Sequence, residues 1–218
     1  MTSQDNMASR NFEGKGMTVE FTEAAGNAQL LTMATPDGPF TIIARDGVVL
    51  ASGWTADVGE LTGQIHPALL PAAYESVENL GAISAAVEAF YAGDPAPAMS
   101  VPVLQRSGPF RAHAWDVLRT VGPGAPVTYT EYAALSGNSK AVRAAASACA
   151  LNAAALFVPC HRVVRTDGSL GGFRWGLKVK ESLLARENRT DGSLGGFRWG
   201  LKVKESLLAR EKQVLAAG

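Results

Sequence analysis

VTYTEYAALSGNSKAVRAAASACA, residues 127–150, reads as two short helices joined by a glycine turn. Thr128 stands three residues before Glu131, the spacing of a capping box in which each side chain serves the other residue's backbone amide. That places a helix over Tyr129 to Ser136. Gly137-Asn138 supplies the turn, and an alanine-rich second helix runs from about Ser139 to Ala150. Such a pair is a helix-turn-helix pattern, although many pairs of this kind are ordinary helix packing.

On the N-terminal side, Phe110, Ala114, Val117, Leu118 and Val121 recur at the spacing of one buried helix face, and Gly122-Pro123-Gly124 stops that helix. Farther back, from about Gln29 to Trp54, short β-branched runs are separated by Pro36-Asp37-Gly38 and Asp46-Gly47, which predicts an antiparallel meander. Residues 55–79 read as irregular. AISAAVEAFYAG gives a helix ending at Gly93, and three prolines in 94–102 (DPAPAMSVP) mark a linker in which no helix continues. The expectation is an α+β chain with four parts: a disordered leader at 1–26, an N-terminal sheet domain at 27–98, a helical domain at 104–187 and a tail at 188–218. Met7 and Met17 both stand as alternative starts.

The composition excludes several classes. No apolar run approaches the roughly 18 residues of a membrane span, and the polar first residues lack the apolar core of a secretory signal. Cys149 and Cys160 alone make neither a disulfide framework nor a cysteine-paired zinc site, so a reducing cytoplasm is expected. Net charge is zero but unevenly distributed. Residues 1–106 carry twelve acidic and four basic side chains, and residues 107–218 carry eight acidic and sixteen basic. A phosphate-facing surface belongs on the second half, unless the charges form only a solvated face.

RTDGSLGGFRWGLKVKESLLARE at 165–187 recurs unchanged at 189–211, with Asn188 between the copies. Structural repeats diverge outside their core positions and need about three copies to bury a shared surface. An identical pair points instead to a recent in-frame duplication, natural or artificial.

Pro159-Cys160-His161-Arg162-Val163-Val164 follows the apolar run Ala153 to Val158, so a cysteine and a histidine emerge together from a buried segment. A bare Cys-His pair is far more often inert than reactive. PCHRVV with GGFRWGLKVKESLLARE at 171–187 and VTYTEYAALSGNSKAVRAAA at 127–146, however, resembles the signature of the O6-alkylguanine-DNA alkyltransferases. The likeness runs in order over roughly 107–187.

That resemblance implies an RNase H-like first domain and a winged-helix-like second one. It also implies single-turnover transfer of an alkyl group from guanine O6 to the protein. Cys160 matches the nucleophile, His161 the base that acts through a water, and Glu187 the carboxylate that orients the imidazole. Asn152 matches the hinge asparagine, and Tyr129 the proton donor to the leaving guanine. Val163 would offer a carbonyl to the base's exocyclic amine, with Phe173 and Arg174 closing the pocket. Arg143 matches the arginine that fills the stack when a nucleotide is flipped out, and Thr130, Asn138, Thr166 and Ser147 match further DNA contacts in the minor groove.

The implied partner is double-stranded DNA carrying O6-alkylguanine, bound by a monomer with no membrane association, no cofactor and no metal. The repeat leaves two candidates for the carboxylate, Glu187 and Glu211, with exchange of the duplicated segment between chains as a further possibility. An alkyltransferase-like protein that binds damage without accepting the alkyl group and a cysteine hydrolase are the competing readings.

Overall fold

The computed structural model describes residues 26–189. The expected leader, apart from Gly26, and most of the second repeat copy lie outside the described residues.

β1 (Ala28–Thr35), β2 (Gly38–Arg45) and β3 (Val48–Gly53) form the antiparallel meander. The second hairpin closes through Asp46 and Gly47, both with positive φ (51° and 75°), the backbone of a two-residue turn whose twist matches the strands. The sheet is not purely antiparallel. A short β4 (Tyr74–Ser76) pairs parallel with β1 and gives the order β3-β2-β1-β4. The stretch 55–79 also holds α1 (Val58–Thr62), capped by the Asp57 side chain, and a 3-10 turn at Pro67–Leu69. These pieces are too short to show a period, and for that reason 55–79 reads as irregular in the sequence.

β2 and β3 are buried on both faces because neighbouring side chains point to opposite sides of the pleat. Phe40, Ile42, Ala44 and Val49 face the main core with α2 (Ala82–Tyr91). Ile43, Leu50 and Ala51 face a smaller cluster with Leu61, Ile65 and Leu69. The 94–102 segment is not the helix-free linker its prolines suggest. It contains α3 (Ala96–Ser100), with Pro95 at the cap and Pro97 in the first turn, where a backbone N–H has no intrahelical partner to lose. Its Ala98 and Val101 enter the main core.

α4 (Pro109–Thr120) buries Ala112, Ala114, Trp115 and Leu118, while Phe110 and Val117 of the expected face are only partly buried. α5 (Tyr129–Leu135) opens on the capping box: Thr128 Oγ1 accepts the Glu131 amide and Glu131 accepts the Thr128 amide. It closes on Gly137 at φ 86°, with the amide of Asn138 donating to Ala133 O and that of Gly137 to Ala134 O. Those two bonds are a Schellman cap, and they satisfy carbonyls that the helix end leaves open. α6 (Val142–Ala150) begins three residues later than the sequence suggests. Trp115 Nε1 donates to Ala148 O and Tyr132 Oη to Ala114 O, each at 2.8 Å, fixing α4, α5 and α6 together.

The chain then passes a 3-10 turn at Cys160–Arg162 and β6 (Val163–Val164), which pairs parallel with β5 (Val127–Thr128). The described residues end in α7 (Leu177–Arg189). Among the described residues, no helix is long and apolar enough to cross a membrane.

Candidate active site around Cys160

Cys160 is held by the segment before it. Asn152, buried in that turn, donates from Nδ2 to Val158 O at 2.7 Å and to Cys160 Sγ at 3.2 Å. Its Oδ1 accepts the Ala154 amide at 3.1 Å and Gln105 Nε2 at 3.0 Å. One amide side chain therefore ties both ends of a turn in which Leu156 takes φ 74°, a conformation a leucine keeps only when its surroundings enforce it. The N-terminal sheet supplies the other restraint. Ser52 at the end of β3 donates its amide to Ala153 O, accepts the Ala155 amide and gives its hydroxyl to Ala155 O at 2.7 Å.

His161 follows Cys160 and is fully buried. Its Nε2 lies 2.9 Å from Glu187 Oε1 on α7, while its Nδ1 has no hydrogen-bond partner among the described residues. A buried ring nitrogen without a partner is the atom a water would occupy. Burial pushes the His161 pKa down against the pull of Glu187, so the resting imidazole is neutral and able to accept a proton.

Arg162 explains why Glu187 does not reverse that. Its guanidinium grips the same carboxylate, Nη2 to Oε1 at 2.7 Å and Nε to Oε1 and Oε2 at 3.0 and 3.1 Å, and its Nη1 donates to Val121 O. Burial raises the Glu187 pKa, but His161 and Arg162 outweigh it and hold the carboxylate ionised. Arg162 also lowers the His161 pKa, so the pull of Glu187 toward the cation falls short of the cost of burial in the resting state.

Burial likewise raises the Cys160 pKa, opposed by the Asn152 hydrogen bond and by the positive charges of Lys180 and Arg174. The resting group is a thiol that must lose its proton to become a nucleophile.

Tyr129, at the start of α5, is half-buried, and desolvation pushes its hydroxyl up to about 12. Gly171 crosses its ring so closely that a Cβ there would lie 3.0 Å from it, and at φ 68° the backbone favours glycine as well. Phe173 packs on Trp54 with ring centroids 6.0 Å apart, and Trp175 covers Gly53, so the 171–176 loop lies against the sheet. Arg174 is exposed and donates to Ala150 O at 2.9 Å. The Val163 carbonyl already accepts Lys180 Nζ at 2.6 Å, which leaves one lone pair for another donor.

The remaining sequence-derived positions divide. Arg143, Thr130, Asn138 and Thr166 are exposed, at the starts of α6 and α5, in the turn between them and after β6. Ser147 is half-buried and accepts from Arg111 Nη2 at 3.4 Å, so it faces α4 in part. Among the described residues, no group of three or more His, Cys, Asp or Glu side chains could hold a metal.

Reading the sequence alone misses Arg162, Lys180, Gln105 and Ser52. For two of these a signal exists. Arg162 interrupts an apolar run, and Lys180 shares the helical face of Leu183, Leu184 and Glu187, all buried.

Residues 109–189 match the family described as 6-O-methylguanine DNA methyltransferase, DNA binding domain. The Ada protein of Escherichia coli, named a bifunctional transcriptional activator and DNA repair enzyme, is 48% identical over 41% of this chain, a match spanning 25% of that protein. A methylated-DNA–protein-cysteine methyltransferase of Mus musculus is 37% identical over 65% of this chain and 70% of its own length. The Shigella flexneri protein of that name is 30% identical over 71% of this chain and 92% of its own length. The structure of Mycobacterium tuberculosis OGT in complex with DNA superposes with a TM-score of 0.62 at 25% identity, covering 74% of this chain and 94% of that one. With its Cys160, His161 and Glu187 arranged as above, the chain belongs to the methylated-DNA–protein-cysteine methyltransferase family.

Proposed function

We propose that this protein repairs alkylated DNA by moving the alkyl group from guanine O6 onto Cys160, once per molecule. One observation carries the reading: a buried thiol next in the chain to a buried neutral imidazole whose Nε2 is held by Glu187 and whose Nδ1 has no partner among the described residues.

In this mechanism a water on His161 Nδ1 relays the thiol proton to the imidazole, and Glu187 steadies the cation that results. The thiolate attacks the alkyl carbon. A carbon–sulfur bond forms, the bond to O6 breaks and its electron pair stays on guanine, which takes a proton from Tyr129. Tyr129 and His161 return to their resting states by exchange with solvent. The product is a thioether that water does not readily cleave, and each molecule therefore reacts once. No cofactor or metal enters.

The same reading gives an RNase H-like sheet domain at 27–98 and a winged-helix-like domain at 104–187, acting as a cytoplasmic monomer. α5 and α6 would lie on the minor groove, where sequence readout is poor, which suits repair at any sequence. Exposed Arg143 would enter the stack left by the flipped nucleotide, with Thr130, Asn138, Thr166 and Ser147 on the flanking strand and Val163, Phe173 and Arg174 around the base.

The decisive test is the intact mass after mixing with duplex DNA containing O6-methylguanine. The expected result is a gain of one methylene, localised to Cys160. Repeated turnover with no mass gain would refute the reading. Arg143→Ala should slow repair of duplex DNA by roughly tenfold or more while leaving reaction with the free modified base nearly unchanged, since flipping costs a few kcal/mol only in the duplex. Equal losses on both substrates would remove Arg143 from that role.

A further inference from the structure

Lys180 is a buried charge for which the mechanism above has no use. It sits on α7 with its side chain fully buried, and its Nζ donates to the Val163 carbonyl at 2.6 Å. A neutral carbonyl does not compensate an ammonium removed from water, and no carboxylate is paired with it among the described residues. The titratable groups that face it are Cys160 and His161 on the 3-10 turn, Cys149 on α6 and Arg165 after β6. Of these only the two thiols can become negative, and Cys160 is the one that Asn152 orients.

We propose that Lys180 is a positioning residue for alkyl transfer: its ammonium is the counter-charge against which the Cys160 thiolate forms, and its hydrogen bond fixes the Val163 carbonyl at the rim of the base pocket. The inference rests on the alkyl-transfer reading and deepens it. In the reaction the thiol loses its proton through the water on His161, and for that interval the pocket holds a thiolate beside an ammonium rather than a lone buried anion. Once the sulfur is alkylated the counter-charge is gone, and Lys180 is again a buried cation on a neutral partner. The titration behaviour agrees. Burial draws Lys180 down to about 8, Cys160 and Cys149 oppose that fall, and Lys180 in turn lowers Cys160.

The test uses a reagent that needs no DNA. Carbamidomethylation of Cys160 by iodoacetamide is followed against pH by peptide mass in the wild type, Lys180→Met and Lys180→Arg, with methyl transfer from O6-methylguanine DNA measured in parallel. A nearby opposite charge lowers a pKa by about one unit or more. Lys180→Met should therefore react roughly tenfold more slowly near neutrality, with its midpoint moved up by about one unit, and Lys180→Arg should stay near the wild type. A Lys180→Met profile with the wild-type midpoint, merely slower at every pH, overturns the proposal.

Should Lys180→Met fail to fold, the wild-type protein still answers. The Lys180 side chain, titrated by carbon NMR, should shift to lower pH once DNA has methylated Cys160, and an unmoved titration overturns the pairing. A wild-type protein that gains no methylene from DNA would instead sink the repair reading, an outcome distinguishable from either of these.

Discussion

Cys160→Ser is expected to abolish alkyl transfer, by about a thousandfold or more, while leaving affinity for damaged duplex DNA within a few-fold of the wild type. The hydroxyl is nearly isosteric with the thiol, and Asn152 Nδ2, 3.2 Å from Sγ, keeps a hydrogen-bond acceptor. What changes is the ease of forming the anion and its nucleophilicity toward carbon, both far lower for an alcohol. Single-turnover transfer and equilibrium binding, measured on the same oligonucleotide, separate the two effects. Methyl acceptance by the serine variant would place the acceptor elsewhere, and collapse of binding would mean that the substitution disturbs the fold.

Glu187→Ala should damage both stability and chemistry. The carboxylate takes three contacts from the Arg162 guanidinium and one from His161, all buried, so its removal strands a cation that water cannot reach. Removing one partner of a buried pair costs about 3–5 kcal/mol, enough to lower the thermal midpoint by many degrees. Glu187→Gln keeps the shape and one acceptor but not the charge, and should retain more stability while slowing transfer by roughly ten- to a hundredfold, since an imidazolium then lacks its counter-ion. The equivalent change in the second repeat copy, Glu211→Gln, should leave both properties near the wild type. The reverse pattern in thermal melts and transfer rates would mean that the second copy supplies the carboxylate.

The legible parts of the sequence are those where local chemistry has no competitor. The Thr128/Glu131 box, the Asp46-Gly47 turn and the proximity of Cys160 to His161 all follow from residues next to one another in the chain. Glu187 and Asn152 are legible only through the family pattern, because 26 residues separate Glu187 from His161 and nothing local signals the contact. β4 escapes because three exposed residues show no alternation, and its strand character comes from the free edge of β1. α3 escapes because prolines that break a helix interior are harmless at its start. Arg162 and Lys180 were visible as letters but not as charges, since a buried cation reveals its purpose only when its partner is located.

Ser52 belongs to a strand edge that would otherwise be open: Val103 flanks β3 at Val49 and Ala154 flanks it at Ser52. The segment leading to Cys160 is therefore also the sheet's border, and the two halves of the chain share backbone hydrogen bonds as well as side-chain packing. Damage to such a seam is not local. A map of inactivating substitutions would run from α5 and α6 through the 152–158 turn and along β3 into the sheet, and many of the variants on it would be casualties of posture rather than of chemistry.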